Sequence, residues 1–337
     1  MVIRIFLISL YLSNMSFSAV VKTAIVFVGI IAVVLAAAII FGGPGSPKPM
    51  ASINDPFKVV DFSDLPPLLR YKARDGAELA YRRYAPRRGT AIRGSVVLVH
   101  GSSGSSTSMH VIAKALSNAG YSAYALDIRG HGASGTKGTI AYVGQLEDDL
   151  DSFVKAVPLA KPCTLVGFSS GGGFVLRVAG SQHQNAFQNY VLLSPFLGSS
   201  APNSRPDSGG WVNVGIPRII GLTFLNHLGV RIFNDLPVIN FALSEQSKRF
   251  LTSTYTFTLT ANFGPLQDYE ANIRAVHQPV KVVAGASDEV FETAALEKIF
   301  RNQSQSWPVT LLPGIGHIQL TLNPEAVSAI VTTIEAM

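Results

Sequence analysis

Short apolar runs alternate with longer stretches of helical periodicity along most of the chain. The short runs have the length of buried strands and lie at residues 95–100, 121–127, 163–168, 191–193, 280–284 and 309–312. Stretches in which apolar residues recur every three or four positions lie between them, at residues 145–157, 292–300 and 324–335, with further helices ending near 119 and starting after 169. This alternation predicts an α/β fold with a mostly parallel sheet wound on both faces, which binds ligands at the carboxyl ends of its strands. The pair Asp75-Gly76, between two alternating runs, predicts a hairpin over residues 71–84.

The most apolar stretch of the chain precedes this pattern. Residues 24–41 carry no charge, Lys22 lies before them, and the turn-forming residues 42–45 follow. As a helix with a rise of 1.5 Å per residue they span about 27 Å, which crosses a bilayer core together with the flanking residues. A cleaved signal peptide is the alternative, but its apolar region is shorter, at about 7 to 15 residues, and ends at a cleavage site. We therefore predict an uncleaved transmembrane signal-anchor helix over residues 24–43.

The predicted domain order follows from these two patterns. Residues 1–23 form an N-terminal leader that starts at Met1 or Met15. Residues 44–66 are rich in proline and glycine and form a linker, and residues 67–337 form the α/β domain. The few basic residues near the apolar helix orient it weakly. We expect a single-pass membrane protein with the α/β domain outside the cytoplasm.

Composition agrees with a membrane segment and argues against a nucleic-acid partner. The chain is 47% hydrophobic and 14% charged, with a mean hydropathy of +0.30, which is apolar for a soluble protein. The net charge is +6, but Lys and Arg are scattered as single residues and short pairs, so no basic patch for nucleic acid is predicted. The single cysteine, Cys163, lies in an apolar strand and can form no intramolecular disulfide.

A serine nucleophile is predicted at the end of the strand at residues 163–168. The run Gly167-Phe168-Ser169-Ser170-Gly171 has the pattern G-x-S-x-G, with a strand before it and a helix after it. A turn between such a strand and helix is so tight that its flanks need glycine and its serine takes a strained backbone conformation. Ser169 should therefore stand at the carboxyl edge of the sheet.

Two further residues have the placement of a base and an acid for this serine. His317 follows a predicted strand in a glycine-rich loop, and Asp288 follows another. Both come just beyond the carboxyl end of a strand, the edge at which Ser169 is expected. Glu289 is the alternative acid. We favour Asp288 because the shorter carboxylate follows its strand at the closer position.

The order Ser169, Asp288, His317 resembles that of the α/β-hydrolase superfamily, over residues 67–337. The segment at residues 127–134, Asp-Ile-Arg-Gly-His-Gly-Ala-Ser, is similar to the D-x-R-G-H-G-x-S segment of lysophospholipase and monoacylglycerol-lipase-like members, also grouped with the serine aminopeptidases. The resemblance implies the α/β-hydrolase fold. It also implies a structural role for this segment, whose glycines allow a tight loop.

The resemblance further implies an oxyanion hole and a lid. Residues 100–104, His-Gly-Ser-Ser-Gly, look like the family's oxyanion loop, so the backbone N–H groups of Ser102 and Ser170 are expected to hold the oxyanion. A helical lid insertion is expected at about residues 198–270. Within it, an apolar stretch from Trp211 to Leu228 is expected to contact an acyl chain, and the spacing of residues 216–223 predicts that part of it is a helix with an apolar face.

The predicted function is that of a membrane-anchored serine hydrolase. It cleaves carboxylic esters through an acyl-enzyme, and its substrate is a small-molecule or lipid ester of the lysophospholipid or monoacylglycerol type. The same three residues serve a serine peptidase, thioesterase or acyltransferase, and a non-catalytic ligand-binding protein is the alternative of another class. No cofactor and no metal are predicted, because this chemistry needs neither and no His, Cys and carboxylate cluster has ligand spacing.

Overall fold

The computed structural model describes residues 17–87, 89 and 91–337, and the first sixteen residues of the predicted leader lie outside this part. The chain divides into two compact units. One contains the N-terminal segment up to Gly43 together with Gly215–Phe233, and the other contains Pro44–Val214 and Asn234–Met337.

The helices begin with a long apolar one near the N-terminus. In chain order they are α1 Phe17–Phe41, α2 Ala51–Asn54, α3 His110–Asn118, α4 Gln145–Ala156, α5 Ser170–Ala179, α6 Asp207–Gly210, α7 Ile216–His227, α8 Glu245–Lys248, α9 Phe257–Asn262, α10 Tyr269–Arg274, α11 Leu296–Asn302, α12 Gln319–Leu322 and α13 Pro324–Glu335. Helices α1 and α7 belong to the first unit and the others to the second.

The strands of the second unit form two sheets. In chain order they are β1 Leu68–Lys72, β2 Glu78–Tyr84, β3 Ser95–Val99, β4 Ser122–Leu126, β5 Cys163–Phe168, β6 Asn189–Leu193, β7 Val212–Val214, β8 Pro237–Phe241, β9 Thr254–Thr256, β10 Val280–Gly285 and β11 Val309–Leu312. The large sheet has the order β1-β2-β4-β3-β5-β6-β10-β11, and the small one has the order β7-β8-β9. The first two strands of the large sheet are antiparallel to their neighbours, and the other neighbouring pairs are parallel.

The central strands of the large sheet are covered on both faces. Every residue of β3, β4, β5 and β6 is buried, as the continuous apolar runs predicted. The register aligns their carboxyl ends, because Val99 pairs with both Leu126 and Gly167, and Leu193 pairs with both Phe168 and Val283. The loops that leave these ends therefore meet at one edge of the sheet.

The insertion expected as a helical lid, residues 198–270, also contains strands. β8 pairs antiparallel with β7 and with β9. The hydrophobic pattern did not predict these three strands. Two of them are three residues long, too short for an alternating pattern to be recognised.

The segment predicted as a linker, residues 44–66, contains local structure. Helix α2 is followed by a 3₁₀ helix at Pro56–Val59, and Ile53 is buried. The side chain of Asn54 donates to the carbonyl oxygen of Ala242 (2.9 Å) and accepts from the N–H of Ser244 (3.0 Å). The segment is thus fastened to the insertion by hydrogen bonds.

The first unit contains a helix with the properties of a membrane span. Helix α1 starts inside the predicted leader. Within its part Val20–Phe41, an 18-residue window has a mean hydropathy of 3.2 and is almost entirely exposed. Among the residues described here it is the one helix long and apolar enough to cross a bilayer. By length and composition it fits a membrane anchor or a signal sequence.

Candidate active site

Ser169 occupies the sharp turn between β5 and α5. Its backbone angles are φ 57° and ψ −121°, a conformation that is costly for a residue with a side chain. The N–H of Ser169 is held by the carbonyl oxygen of Leu193, at 2.9 Å. A Cβ atom built on Gly171 would lie 2.3 Å from the carbonyl oxygen of His100, so glycine is required at this flank. The strained turn is therefore fixed by its surroundings.

The structure brings the three predicted residues Ser169, Asp288 and His317 together. Nε2 of His317 lies 3.0 Å from Oγ of Ser169, and Nδ1 of His317 lies 2.8 Å from Oδ2 of Asp288. The imidazole is 3% exposed and the Asp288 side chain is fully buried. Little water therefore competes for these two hydrogen bonds.

The Asp288 carboxylate is held in its charged form. Burial by itself would raise the pKa of Asp288, but the adjacent imidazole of His317 and the hydrogen bonds to the carboxylate outweigh burial and lower the pKa. Oδ1 accepts from the backbone N–H groups of Val290 (2.8 Å) and Phe291 (2.9 Å). Both oxygens of the carboxylate are thus occupied, one of them by the imidazole.

Glu289, the alternative acid, contacts the backbone of the loop that carries His317 and not the imidazole. Its Oε2 accepts from the backbone N–H of His317 at 2.9 Å. The carboxylate that contacts the imidazole is that of Asp288, as the sequence analysis favoured. Glu289 instead fixes the backbone that carries His317.

The two predicted oxyanion donors, Ser102 and Ser170, lie close to the serine. Ser170 is the first residue of α5, so its N–H is among those with no partner inside the helix, at the end that favours negative charge. Ser102 lies in the loop after β3 and lines the same cavity as Ser169. The placement fits two N–H groups that converge on one oxygen.

Residues of the insertion hold this loop in place. Trp211 donates from Nε1 to Oγ of Ser102 at 3.0 Å. The N–H of Ser103 donates to the hydroxyl of Tyr255, and Oγ of Ser103 donates to the carbonyl oxygen of Thr252, both at 2.7 Å. Ser103 has φ 68°, so the loop is held in a conformation that it would rarely adopt alone. The sequence did not indicate this contact with the oxyanion loop for Trp211, Thr252 or Tyr255, which follow the loop by more than 100 positions.

The D-x-R-G-H-G-x-S segment makes hydrogen bonds to the loops that surround the site. Asp127 accepts from the N–H of Ser106 through Oδ1 (2.7 Å) and from the N–H of Ala133 through Oδ2 (2.8 Å). Nε2 of His131 lies 2.5 Å from the hydroxyl of Tyr255, and burial lowers the pKa of His131 well below 6.5. These contacts agree with the structural role that the resemblance implied.

A cavity of about 370 Å³ opens at Ser169 and His317. Its wall is mostly apolar, and its remaining polar groups are hydroxyls and one amide. The lining side chains include Ile53, Phe57, Phe62, Trp211, Leu243, Phe250, Leu251 and Ile318 on the apolar part, and Asn54, Ser102, Ser105, Thr107, Ser108, Ser247 and Thr321 on the polar part. Of the lining residues that the structure describes, none is Asp, Glu, Lys or Arg.

Two expectations about the cavity differ from what the structure shows. Ile53 and Phe57 come from the predicted linker, which had no predicted role in the site. Of the apolar stretch 211–228, expected to contact an acyl chain, Trp211 lines the cavity, but residues 216–228 are not among the described lining residues. Leu243 and Phe250 of the same insertion also line it. Sequence hydrophobicity identified the insertion but not which of its side chains face the serine.

Comparison with known proteins finds a matching family and similar lipases. Residues 90–321 match the family described as serine aminopeptidase, S33. Monoacylglycerol lipase from Mycolicibacterium smegmatis is 31% identical over 152 residues, which are 43% of this chain and 50% of that lipase. The chain thus spans about half the length of this curated relative.

Solved structures share the fold. A soluble variant of monoglyceride lipase from Saccharomyces cerevisiae, in complex with a substrate analog, has a TM-score of 0.61 at 20% identity, covering 81% of this chain and 94% of that one. A membrane phospholipase A that is a bacterial virulence factor has a TM-score of 0.54 at 16% identity, covering 99% of this chain and 98% of that one. The predicted α/β-hydrolase fold is confirmed.

Proposed function

This chain belongs to the serine aminopeptidase S33 family, and we propose that it is an ester hydrolase that releases a fatty acid from a neutral lipid ester of the monoacylglycerol type. The uncharged, mostly apolar lining of the cavity beside Ser169 is the observation that carries this proposal. The likeness to monoacylglycerol lipases supports it.

The lining distinguishes three substrate classes within the family and fold. An aminopeptidase has to bind a positively charged amino terminus, for which a carboxylate near the serine is the usual partner. A lysophospholipid brings a phosphate, which Lys or Arg would bind. A monoacylglycerol has an uncharged acyl chain and an uncharged diol. The aromatic and aliphatic walls of the cavity suit the acyl chain. The hydroxyls of Ser105, Thr107 and Ser108 suit the diol.

The three residues then carry out acyl transfer. Oγ of Ser169 attacks the ester carbonyl carbon while Nε2 of His317 accepts its proton. Asp288 keeps the other imidazole proton on Nδ1 and stabilises the imidazolium that forms. Since its lowered pKa keeps it ionised at neutral pH, it remains an acceptor throughout.

The remaining steps are stabilisation of the oxyanion, protonation of the leaving group and hydrolysis of the acyl-enzyme. The N–H groups of Ser102 and Ser170 donate to the oxygen that becomes negative in the tetrahedral intermediate, and loss of one such donor typically costs 10² to 10³ in rate. His317 returns its proton to the departing alcohol, leaving an acyl-enzyme on Ser169. A water molecule, deprotonated by the same imidazole, then releases the fatty acid.

We also propose that α1 anchors the enzyme in a membrane. The 22 residues Val20–Phe41 give about 33 Å of helix at 1.5 Å per residue, which matches the hydrocarbon core of a bilayer. The full-length likeness to a phospholipase A described as a membrane protein supports an anchor over a signal sequence. The orientation, with residues 44–337 outside the cytoplasm, remains a prediction.

The test is hydrolysis by the full chain in detergent micelles. Monooleoylglycerol, lysophosphatidylcholine and leucine p-nitroanilide are compared by kcat/KM, with Ser169→Ala as the control. We expect monooleoylglycerol to be the best substrate by at least about tenfold, since a buried unpaired phosphate or ammonium costs more than 1.4 kcal/mol. Preference for the anilide would support an aminopeptidase, and preference for the lysophospholipid would overturn the neutral-ester assignment.

A further inference from the structure

Helix α7 packs against the C-terminal end of α1 within the first unit. The side chain of Arg218 donates from Nε to the carbonyl oxygen of Ile39 (2.7 Å) and from Nη2 to that of Ile40 (2.9 Å). The N–H of Arg218 donates to the carbonyl oxygen of Gly42 (3.3 Å). The last carbonyls of a helix have no partner inside it, so Arg218 caps α1 where its apolar span ends.

The two helices approach closely and run in opposite directions. A Cβ atom built on Gly221 would lie 2.8 Å from Cγ1 of Ile39, so this approach requires glycine. Pro217 and Arg218 lie against Gly42, whereas Gly221 lies against Ile39, earlier in α1. Small residues at a helix contact are typical of helices that pack inside a bilayer.

One side of α7 presents an apolar stripe to its surroundings. The side chains of Ile216, Ile220, Phe224 and Leu228 are exposed to 58%, 62%, 44% and 64%. They are four positions apart, so they share one face of the helix. Four large exposed apolar side chains in a row are unusual for a helix that contacts water, and they need a partner.

The polar groups near the end of α7 are bonded to their own helix. Nδ2 of Asn226 donates to the carbonyl oxygen of Leu222 (2.7 Å), and Nδ1 of His227 donates to that of Thr223 (2.8 Å). Side chains that bond back to the backbone in this way suit surroundings that contain little water.

The two segments of the first unit, residues 1–43 and 215–233, carry only positive charges. They contain no Asp and no Glu, while Arg4, Lys22, Arg218 and Arg231 carry positive charge. A helix with one apolar face and basic residues fits the headgroup boundary of a bilayer that contains anionic lipids.

We propose that α7 is a second membrane-contact element: its stripe lies among the lipid acyl chains of the leaflet at which α1 ends. The proposal rests on the anchoring role of α1 proposed above, because the two helices share the capped end. It replaces the acyl-binding role that sequence hydrophobicity suggested for residues 216–228. The substrate cavity and the membrane contact are thus assigned to different parts of the insertion.

Site-specific fluorescence tests this proposal in the full chain. The single natural cysteine, Cys163, is buried, so a cysteine introduced on the surface can be labelled selectively with an environment-sensitive dye. The variants are Ile220→Cys and Phe224→Cys on the stripe, Val33→Cys in α1, and Ser328→Cys as an exposed helical control on α13. Each is reconstituted into vesicles of phosphatidylcholine and phosphatidylglycerol, with and without a nitroxide near the top of the acyl chain.

We expect the labels at 220 and 224 to show blue-shifted emission and to be quenched by the nitroxide at least about twofold more than the label at 328. Hydrolysis of a soluble ester by each variant checks that the fold is intact. If the label at 33 is quenched while those at 220 and 224 behave like the one at 328, this proposal fails and the anchor stands. If the label at 33 also behaves like the one at 328, or the protein does not float with the vesicles, the anchor and this proposal both fail.

Discussion

Replacing Asp288 by Asn tests the carboxylate behind the imidazole. Oδ2 of Asp288 accepts from Nδ1 of His317, and Oδ1 accepts from the N–H groups of Val290 and Phe291. In Asp288→Asn the amide oxygen stays with the two backbone N–H groups, which can only donate, and the amide NH₂ faces Nδ1. The imidazole then carries its proton on Nε2, where it cannot accept one from Ser169.

The expected loss in kcat is about 10³ to 10⁴, or about 4 to 5.5 kcal/mol of activation free energy at 1.36 kcal/mol per tenfold. Both side chains are buried, so little water is available to take over the role of the carboxylate. Glu289→Gln is the matched control. It keeps an oxygen that can accept from the N–H of His317, so exchanging a charged for a neutral acceptor should cost about 1 kcal/mol, less than tenfold.

The assay is kcat/KM of each variant on a short, soluble 4-methylumbelliferyl ester, with the melting temperature as a check on folding. Both variants should melt close to the parent protein, because the hydrogen bonds to Val290, Phe291 and the His317 backbone are retained. A larger loss in Glu289→Gln than in Asp288→Asn would refute the reasoning and move the acid to Glu289.

Three further predictions follow from the same geometry. Ser169→Ala should abolish labelling by a fluorophosphonate probe and lower turnover by at least about 10³ with little change in melting temperature, and residual labelling would point to another nucleophile. From butyrate to laurate esters, each added methylene should raise kcat/KM by the equivalent of about 0.8 kcal/mol at most, and Phe250→Ala should reduce this gain. Phe224→Ala should not reduce it. An equal effect of both substitutions would indicate that α7 contacts the acyl chain. Burial lowers the pKa values of His100 and His131 from 6.5. Below pH 6.5 the unfolded chain therefore binds protons that the folded chain does not. As the pH falls, the free energy of unfolding should decrease by up to about 1.4 kcal/mol per pH unit for each histidine. His131→Gln should make this slope shallower in urea unfolding at pH 7 and 5.5, and an unchanged slope would contradict a neutral buried His131.

The sequence sufficed for the features that depend on local pattern. Continuous apolar runs between helical stretches predicted the parallel strands, because a strand buried on both faces must be apolar at every position. The tight turn at Ser169 was predicted because its glycines leave a local signature. Ser169, Asp288 and His317 could be predicted as a group because each of them follows the end of a recognisable strand.

The features that the sequence did not predict depend on contacts between distant residues. Trp211 and Tyr255 hold the oxyanion loop from more than 100 positions away, and neither has a neighbouring residue that marks this role. For the acid, the sequence favoured Asp288 over Glu289 only by its position after the strand, and the contact with the imidazole is seen only in the folded loop. The direction in which each carboxylate points is set by the backbone of the folded loop, which side-chain chemistry alone does not specify.

Hydrophobicity by itself determined that the insertion and the N-terminal segment contain apolar elements whose side chains have to be buried away from water. It did not determine what covers them, because burial against protein, against substrate and against lipid all select the same side chains. The tertiary structure assigned Leu243 and Phe250 to the cavity, and it placed α7 against α1 through Arg218 and Gly221. Periodicity therefore determines which elements form, while the packing of those elements decides which surface each apolar face meets.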